Sequence, residues 1–108
     1  MEQPANKPTI YYALIHSPGK NWEPILSFTQ QSGIEGHANY MSTFLESKKL
    51  VQGGPFLDNT GGMMIFNVSK EEANSIANAD PCVISGILNV SVKPWLLALS
   101  SKLRSSKI

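Results

Sequence analysis

Cysteine is almost absent from the chain: Cys82 stands alone among 108 residues. A lone cysteine forms no internal disulfide, and without histidines or acids at ligand spacing it marks no closed metal site, so a reducing, cytoplasmic setting is expected. Charge is also scarce, at 16%, and nearly balanced, with nine Lys+Arg against eight Asp+Glu. A surface this close to neutral lacks the field to neutralise many phosphates or hold an anionic membrane, so neither nucleic acid nor membrane is expected as a partner. No apolar run approaches the roughly 20 residues of a membrane helix, and residues 1–8 lack the apolar centre of an export signal. What is present is 42% hydrophobic residues, enough for one domain with a modest core that a second copy would enlarge.

Residues 1–8, with Pro4, Asn6, Lys7 and Pro8, read as a loose leader, 9–99 as the domain and 100–108 as a polar basic tail. The tail ends Ser106-Lys107-Ile108, which approximates the Ser-Lys-Leu peroxisomal address but has the composition of any solvated terminus. Inside the domain, residues 9–16 are β-branched and aromatic with apolar side chains on both faces, the mark of a central strand. A flap is expected over 20–36, where Trp22, Ile25 and Phe28 follow no sustained period. His37, Tyr40, Met41, Phe44, Leu45 and Lys48 then form one helical stripe of about four turns. A short strand at 51–56 carries Gly53, Gly54 and Pro55, where another backbone or a ligand can approach closely. A turn at 58–62 leads into a second two-faced strand at 62–68. Ser69 with Glu72 makes a capping box for a helix to about Ala79, and Asp80-Pro81 opens a further turn that Gly86 closes. Leu88, Val90 and Val92 alternate with polar residues in a last strand that leads into Pro94-Trp95. The order, strand-helix-strand-strand-helix-strand, predicts a ferredoxin-like α+β fold with a four-stranded antiparallel sheet and helices on one face. The bare sheet face predicts a homodimer.

Two histidines and one aspartate stand out as candidates for chemistry. His37 falls in the apolar stripe at the first turn of its helix, where the positive end of the dipole disfavours an imidazolium and favours a proton acceptor. A general base is one reading; a core histidine satisfied by a backbone carbonyl is the other. Asp80 is placed as a helix N-cap, a role that leaves its second oxygen free to orient an imidazole. With the two long helices taken as parallel, these residues sit at opposite ends, and they meet only if the Asp80 turn folds back or a partner copy supplies one of them. His16, at the end of the first strand, reads as a lining residue or a half-exposed polar cap. Cys82 reads as buried, near a helix start that would otherwise lower a thiol pKa. The glycine pairs lack the spacing of a phosphate loop, and Met63, Met64 and Trp95 read as core. No metal is expected from this spacing.

Together, Gly-His-Ala-Asn-Tyr-Met from Gly36, then Gly54-Pro55-Phe56, Ala79-Asp80-Pro81-Cys82-Val83-Ile84-Ser85-Gly86 and Val92-Lys93-Pro94-Trp95 resemble the YciI-like, or YCII-related, family of the dimeric α+β barrel superfamily. The resemblance covers about 9–99. It implies a ferredoxin-like dimer with a cavity in each protomer and an active-site histidine and aspartate, which map onto His37 and Asp80. It further implies a cofactor-independent lyase or isomerase of small cyclic or aromatic metabolites, with Tyr12, His16, Gly54, Pro55 and Cys82 around the substrate. Two alternatives stand beside it: a non-catalytic small-molecule-binding or accessory dimer, and a cofactor-free monooxygenase. Many members carry Arg-Pro before the histidine where this chain has Glu35-Gly36, which argues against acidic substrates. Many also have an aromatic residue in place of Cys82, a change expected to enlarge the cavity.

Overall fold

A computed structural model describes residues 9–101, so the leader and nearly all of the tail, including Ser106-Lys107-Ile108, lie outside the described residues. The elements run β1 (Thr9–Pro18), a 3-10 turn (Phe28–Gln30), α1 (Ile34–Glu46), β2 (Leu50–Pro55), β3 (Gly62–Phe66), α2 (Lys70–Asn78), α3 (Pro81–Ile84) and β4 (Leu88–Leu97). The sheet is ordered β2-β3-β1-β4 with every pair antiparallel, the ferredoxin-like arrangement. The two strands with apolar residues on both faces, β1 and β3, occupy the centre of the sheet.

Along β1, Tyr12 and Leu14 point to the helices and pack with Met41, Leu50, Phe66, Ala73, Ile76 and Ala77 in the main core. A second cluster of Ile34, Cys82, Ile87 and Leu88 closes one end beneath Trp22 and Phe28. The helices cover one sheet face only. On the other, Ile65 and Ala13 are buried by their neighbours, whereas Met63 and Trp95 stay 37% and 41% exposed, so neither belongs to the core.

Several boundaries differ from those the residue pattern suggests. α1 begins at Ile34, three residues before His37, because Gly33 takes a left-handed conformation (φ 77°) at its N-cap. It ends at Glu46, and Lys48, the last residue of the apparent stripe, lies beyond it with φ 65°. β4 continues through Pro94 to Leu97, which an edge strand tolerates because one row of its N–H groups faces solvent. Ser69 caps α2 by accepting from the Glu72 N–H at 3.1 Å, and the Glu72 carboxylate turns to Lys49 instead of back to the cap. No helix among the described residues is long and apolar enough to cross a membrane.

Because this cap accepts from one of the four otherwise unpaired N–H donors of α2, Ser69→Ala should cost about 1 kcal/mol. Chemical denaturation checks this: the midpoint should fall with an unchanged denaturant slope.

Candidate active site

The course of the chain sets where the polar residues meet. Each long helix runs back along the strand that precedes it, and since β1 and β3 are antiparallel, α1 and α2 are antiparallel too. This corrects the parallel arrangement supposed above. The start of α1 and the end of α2 therefore lie at the same edge of the sheet, the one where β1 finishes. His37, Asp80 and His16 come together there within a single chain.

Asp80 is fully buried and uses its two oxygens differently. Oδ1 accepts the Cys82 N–H at 2.9 Å and caps α3. Oδ2 lies 2.6 Å from His37 Nδ1 and 3.5 Å from His16 Nε2. Burial alone would raise the Asp80 carboxyl, but the imidazoles of His16 and His37 beside Oδ2, the charge on His37 and the Cys82 N–H outweigh it, holding the group well below the usual carboxylate range. Since an ionised carboxylate only accepts, the short contact assigns the proton between them to His37 Nδ1 and leaves Nε2 as the imidazole's acceptor. Pro81 lies against Gly36, where an added methyl group would meet it in ordinary contact at 3.6 Å.

His37 and His16 also border a cavity of about 600 Å³ between α1, the 3-10 turn and the β2-β3 end of the sheet. Phe28, Met41 and Met64 supply much of its apolar wall, and the Phe28 ring lies 5.9 Å from the His37 ring. Gly54 and Pro55 line it as well; at Gly54 no atom stands within 4 Å of where a side chain would begin. Gly53 is different, because Met64 Sδ and the Met63 carbonyl would collide with any methyl there. Among the described lining residues Glu35 is the one acid and no Lys or Arg is present.

Two expected lining residues sit elsewhere. Tyr12 is on the helix side of β1, opposite Phe66 and Pro94, against the main core rather than the cavity. Cys82 faces away behind Asp80, its Sγ donating to the Gly33 carbonyl at 3.3 Å, so its small size does not widen the cavity. Burial, followed by the Asp80 charge, pushes its thiol pKa up.

Other residues carry no pattern in the sequence that marks them. Gln31 is buried in the 20–36 flap, where its Nε2 donates to the Glu23 and Leu26 carbonyls and its Oε1 accepts the Glu23 N–H. Asn59 reaches across to accept the Phe28 N–H at 2.8 Å. These contacts hold Phe28 over His37. The one hint in the sequence is the dense set of amides and aromatics in a stretch too long for a simple connection.

His16, His37 and Asp80 also offer one ligand atom each within 4.8 Å of one another, the makings of a metal site. The 2.6 Å separation of His37 Nδ1 and Asp80 Oδ2 is that of a charge-assisted hydrogen bond. Two donors sharing an ion at about 2.0–2.1 Å stand roughly 3 Å apart or more. The arrangement fits a shared proton better than a shared ion.

The YCII-related domain matches residues 11–96 of this sequence. The chain belongs to that family. The uncharacterized protein YjpA of Bacillus subtilis (strain 168) is 38% identical over 68 residues, 62% of this chain and 80% of YjpA. Among solved structures, 5-chloro-2-hydroxyhydroquinone dehydrochlorinase (TftG) of Burkholderia phenoliruptrix AC1100, in complex with 2,5-dihydroxybenzoquinone, matches with a TM-score of 0.62. The match covers 79% of this YCII-related chain and 92% of TftG at 20% identity, a likeness of fold.

The buried pair makes stability depend on pH. Asp80 has a folded pKa below its unfolded value near 4, so its contribution is complete above that value and is lost as pH falls through it toward the folded one. Thermal melts should show a falling Tm below about pH 4, with a shallower fall in Asp80→Asn, which keeps the cap and loses the charge. Asp80→Ala, which removes cap and partner together, should cost about 3–5 kcal/mol at pH 7.

Proposed function

We propose that the protein is a cofactor-independent enzyme of lyase or isomerase type acting on a small, uncharged cyclic or aromatic compound. The observation that carries this reading is the His37–Asp80 bond beside an apolar cavity of ring-accommodating size. His37 Nε2 takes a proton from a carbon next to a carbonyl or from a ring hydroxyl. Asp80 then faces a newly charged imidazolium through a bond already made, so no reorganisation is needed when the charge appears. The same nitrogen returns the proton to another atom in an isomerisation. In an elimination, the electron pair left behind expels a leaving group such as chloride.

Three further points support the reading. The dehydrochlorinase that shares the fold acts, by its name, on a chlorinated hydroquinone and was solved with a quinone bound. The apolar wall suits the faces of such a ring, and Thr29, Ser42 and Gln52 offer polar groups at its margin. With Glu35 as the one charged acid and no cationic side chain among the described lining residues, a carboxylate substrate would be left without a counter-charge.

Incubating the protein with chlorinated hydroxyhydroquinones, quinols and lactones in D2O, while following chloride release and ring-proton exchange by NMR, tests the reading. Turnover or exchange should appear with the wild type and drop about 10²–10⁴-fold in His37→Asn. Undiminished turnover in that variant, or a ligand seated away from His37, would contradict it.

The uncovered sheet face belongs to the same proposal. Met63 and Trp95, exposed beside the buried Ile65, make an apolar surface suited to a second copy. Light scattering at micromolar concentration should give about twice 11.8 kDa, and a clean monomer would remove the dimer from the account.

A further inference from the structure

His16 is the one buried residue among those described whose side-chain nitrogens lack a well-formed hydrogen bond: it is 1% exposed, and Nε2 has only a long approach, 3.5 Å, to Asp80 Oδ2. Leaving such a group unsatisfied costs about 1–3 kcal/mol, and an aliphatic residue at the same strand position would avoid that cost. The surroundings nevertheless hold it firmly. Gly61, at φ 123°, lies so close to the His16 carbonyl that any side chain there would collide with it. The imidazole packs edge-on against His37, ring centroids 5.0 Å apart at 76°.

Asp80 Oδ1 is committed to the Cys82 N–H, so both imidazoles converge on Oδ2, His37 at 2.6 Å and His16 Nε2 at 3.5 Å. We propose that His16 is a positioning residue of the proposed reaction, which competes with His37 for the same Asp80 oxygen and thereby sets how strongly His37 holds a proton. A donor on Oδ2 draws carboxylate charge away from His37 and makes the imidazolium a better acid, so the proton is returned more readily. The lowered pKa of Asp80, to which both histidines contribute, agrees with two donors on one carboxylate.

Few other groups bear on His37. Asp80 and Cys82 face it from the α3 end, His16 from β1 and the uncharged Phe28 ring from the 3-10 turn. Glu35 and Tyr40 share its own helix, and the parts of β2 and β3 bordering the cavity carry no titratable group.

The inference rests on reading His37 as the base, but its test needs no turnover, so either can fail without the other. The chain has only two histidines, which makes their imidazole NMR signals assignable with single variants. In His16→Leu the titration midpoint of His37 should rise by about 0.5–1 pH unit, because one donor on Asp80 is gone. In His16→Gln, whose amide still donates, it should stay close to the wild type. No rise in His16→Leu, or an equal change in both variants, would overturn the proposal and reduce His16 to packing. The wild type offers an independent check through its nitrogen shifts: His16 should carry its proton on Nε2 when neutral, and a proton on Nδ1 instead would overturn the proposal even if the variants failed to fold.

Discussion

The Asp80 carboxylate, fully buried, is the point on which the site depends. One oxygen starts α3 and the other accepts the His37 Nδ1–H, so the backbone that closes this end of the domain and the imidazole that faces the cavity are fixed by a single group. A buried anion without partners would be expelled or neutralised. Here it is kept ionised by donors from two parts of the chain, the Cys82 N–H and His37. The same constraint explains the split core: on α1, His37 falls between Ile34 of the smaller cluster and Met41 of the main one, and at the α2–α3 junction Asp80 falls between Ala77 and Cys82 in the same way. The polar seam between two apolar clusters is where a cavity with chemistry can exist without cutting through a continuous core.

Much of the fold is legible in the sequence because its local signals agree with one another. Apolar residues on both faces mark β1 and β3 as central, Ser69 marks the start of α2, and Asp80-Pro81 marks α3. The boundaries that differ do so for local reasons that periodicity does not see. The left-handed Gly33 starts α1 early, and the edge position of β4 lets a strand pass through Pro94. His37 and Asp80 attract attention as residues, but their meeting is a property of topology: it follows only once the helices are seen to be antiparallel. Phe28 and Gln31 lie beyond local reasoning altogether, since their positions come from contacts to Asn59 and to the flap's own carbonyls. Tyr12 shows the limit of face assignment, because it lies on the helix side of β1 but too far along the strand from His16 to border the cavity.

The departures from the common family pattern also take on physical meaning. Glu35 borders the cavity, and Gly36 provides the flat surface against which Pro81 settles. Glu35 is thus tied to the charge of the cavity, whereas Cys82 is tied to the packing behind Asp80 and not to the size of the cavity.

The central claim is that Asp80 holds His37 in one tautomer with its other nitrogen left as the acceptor toward the cavity. The nitrogen shifts of His37 in the uniformly 15N-labelled protein, read at a pH where the ring is neutral, test it most directly. The account predicts a protonated Nδ1, with its proton in slow exchange with solvent, and an unprotonated Nε2. A neutral His37 that carries its proton on Nε2, or a ring averaging between the two forms, would contradict it.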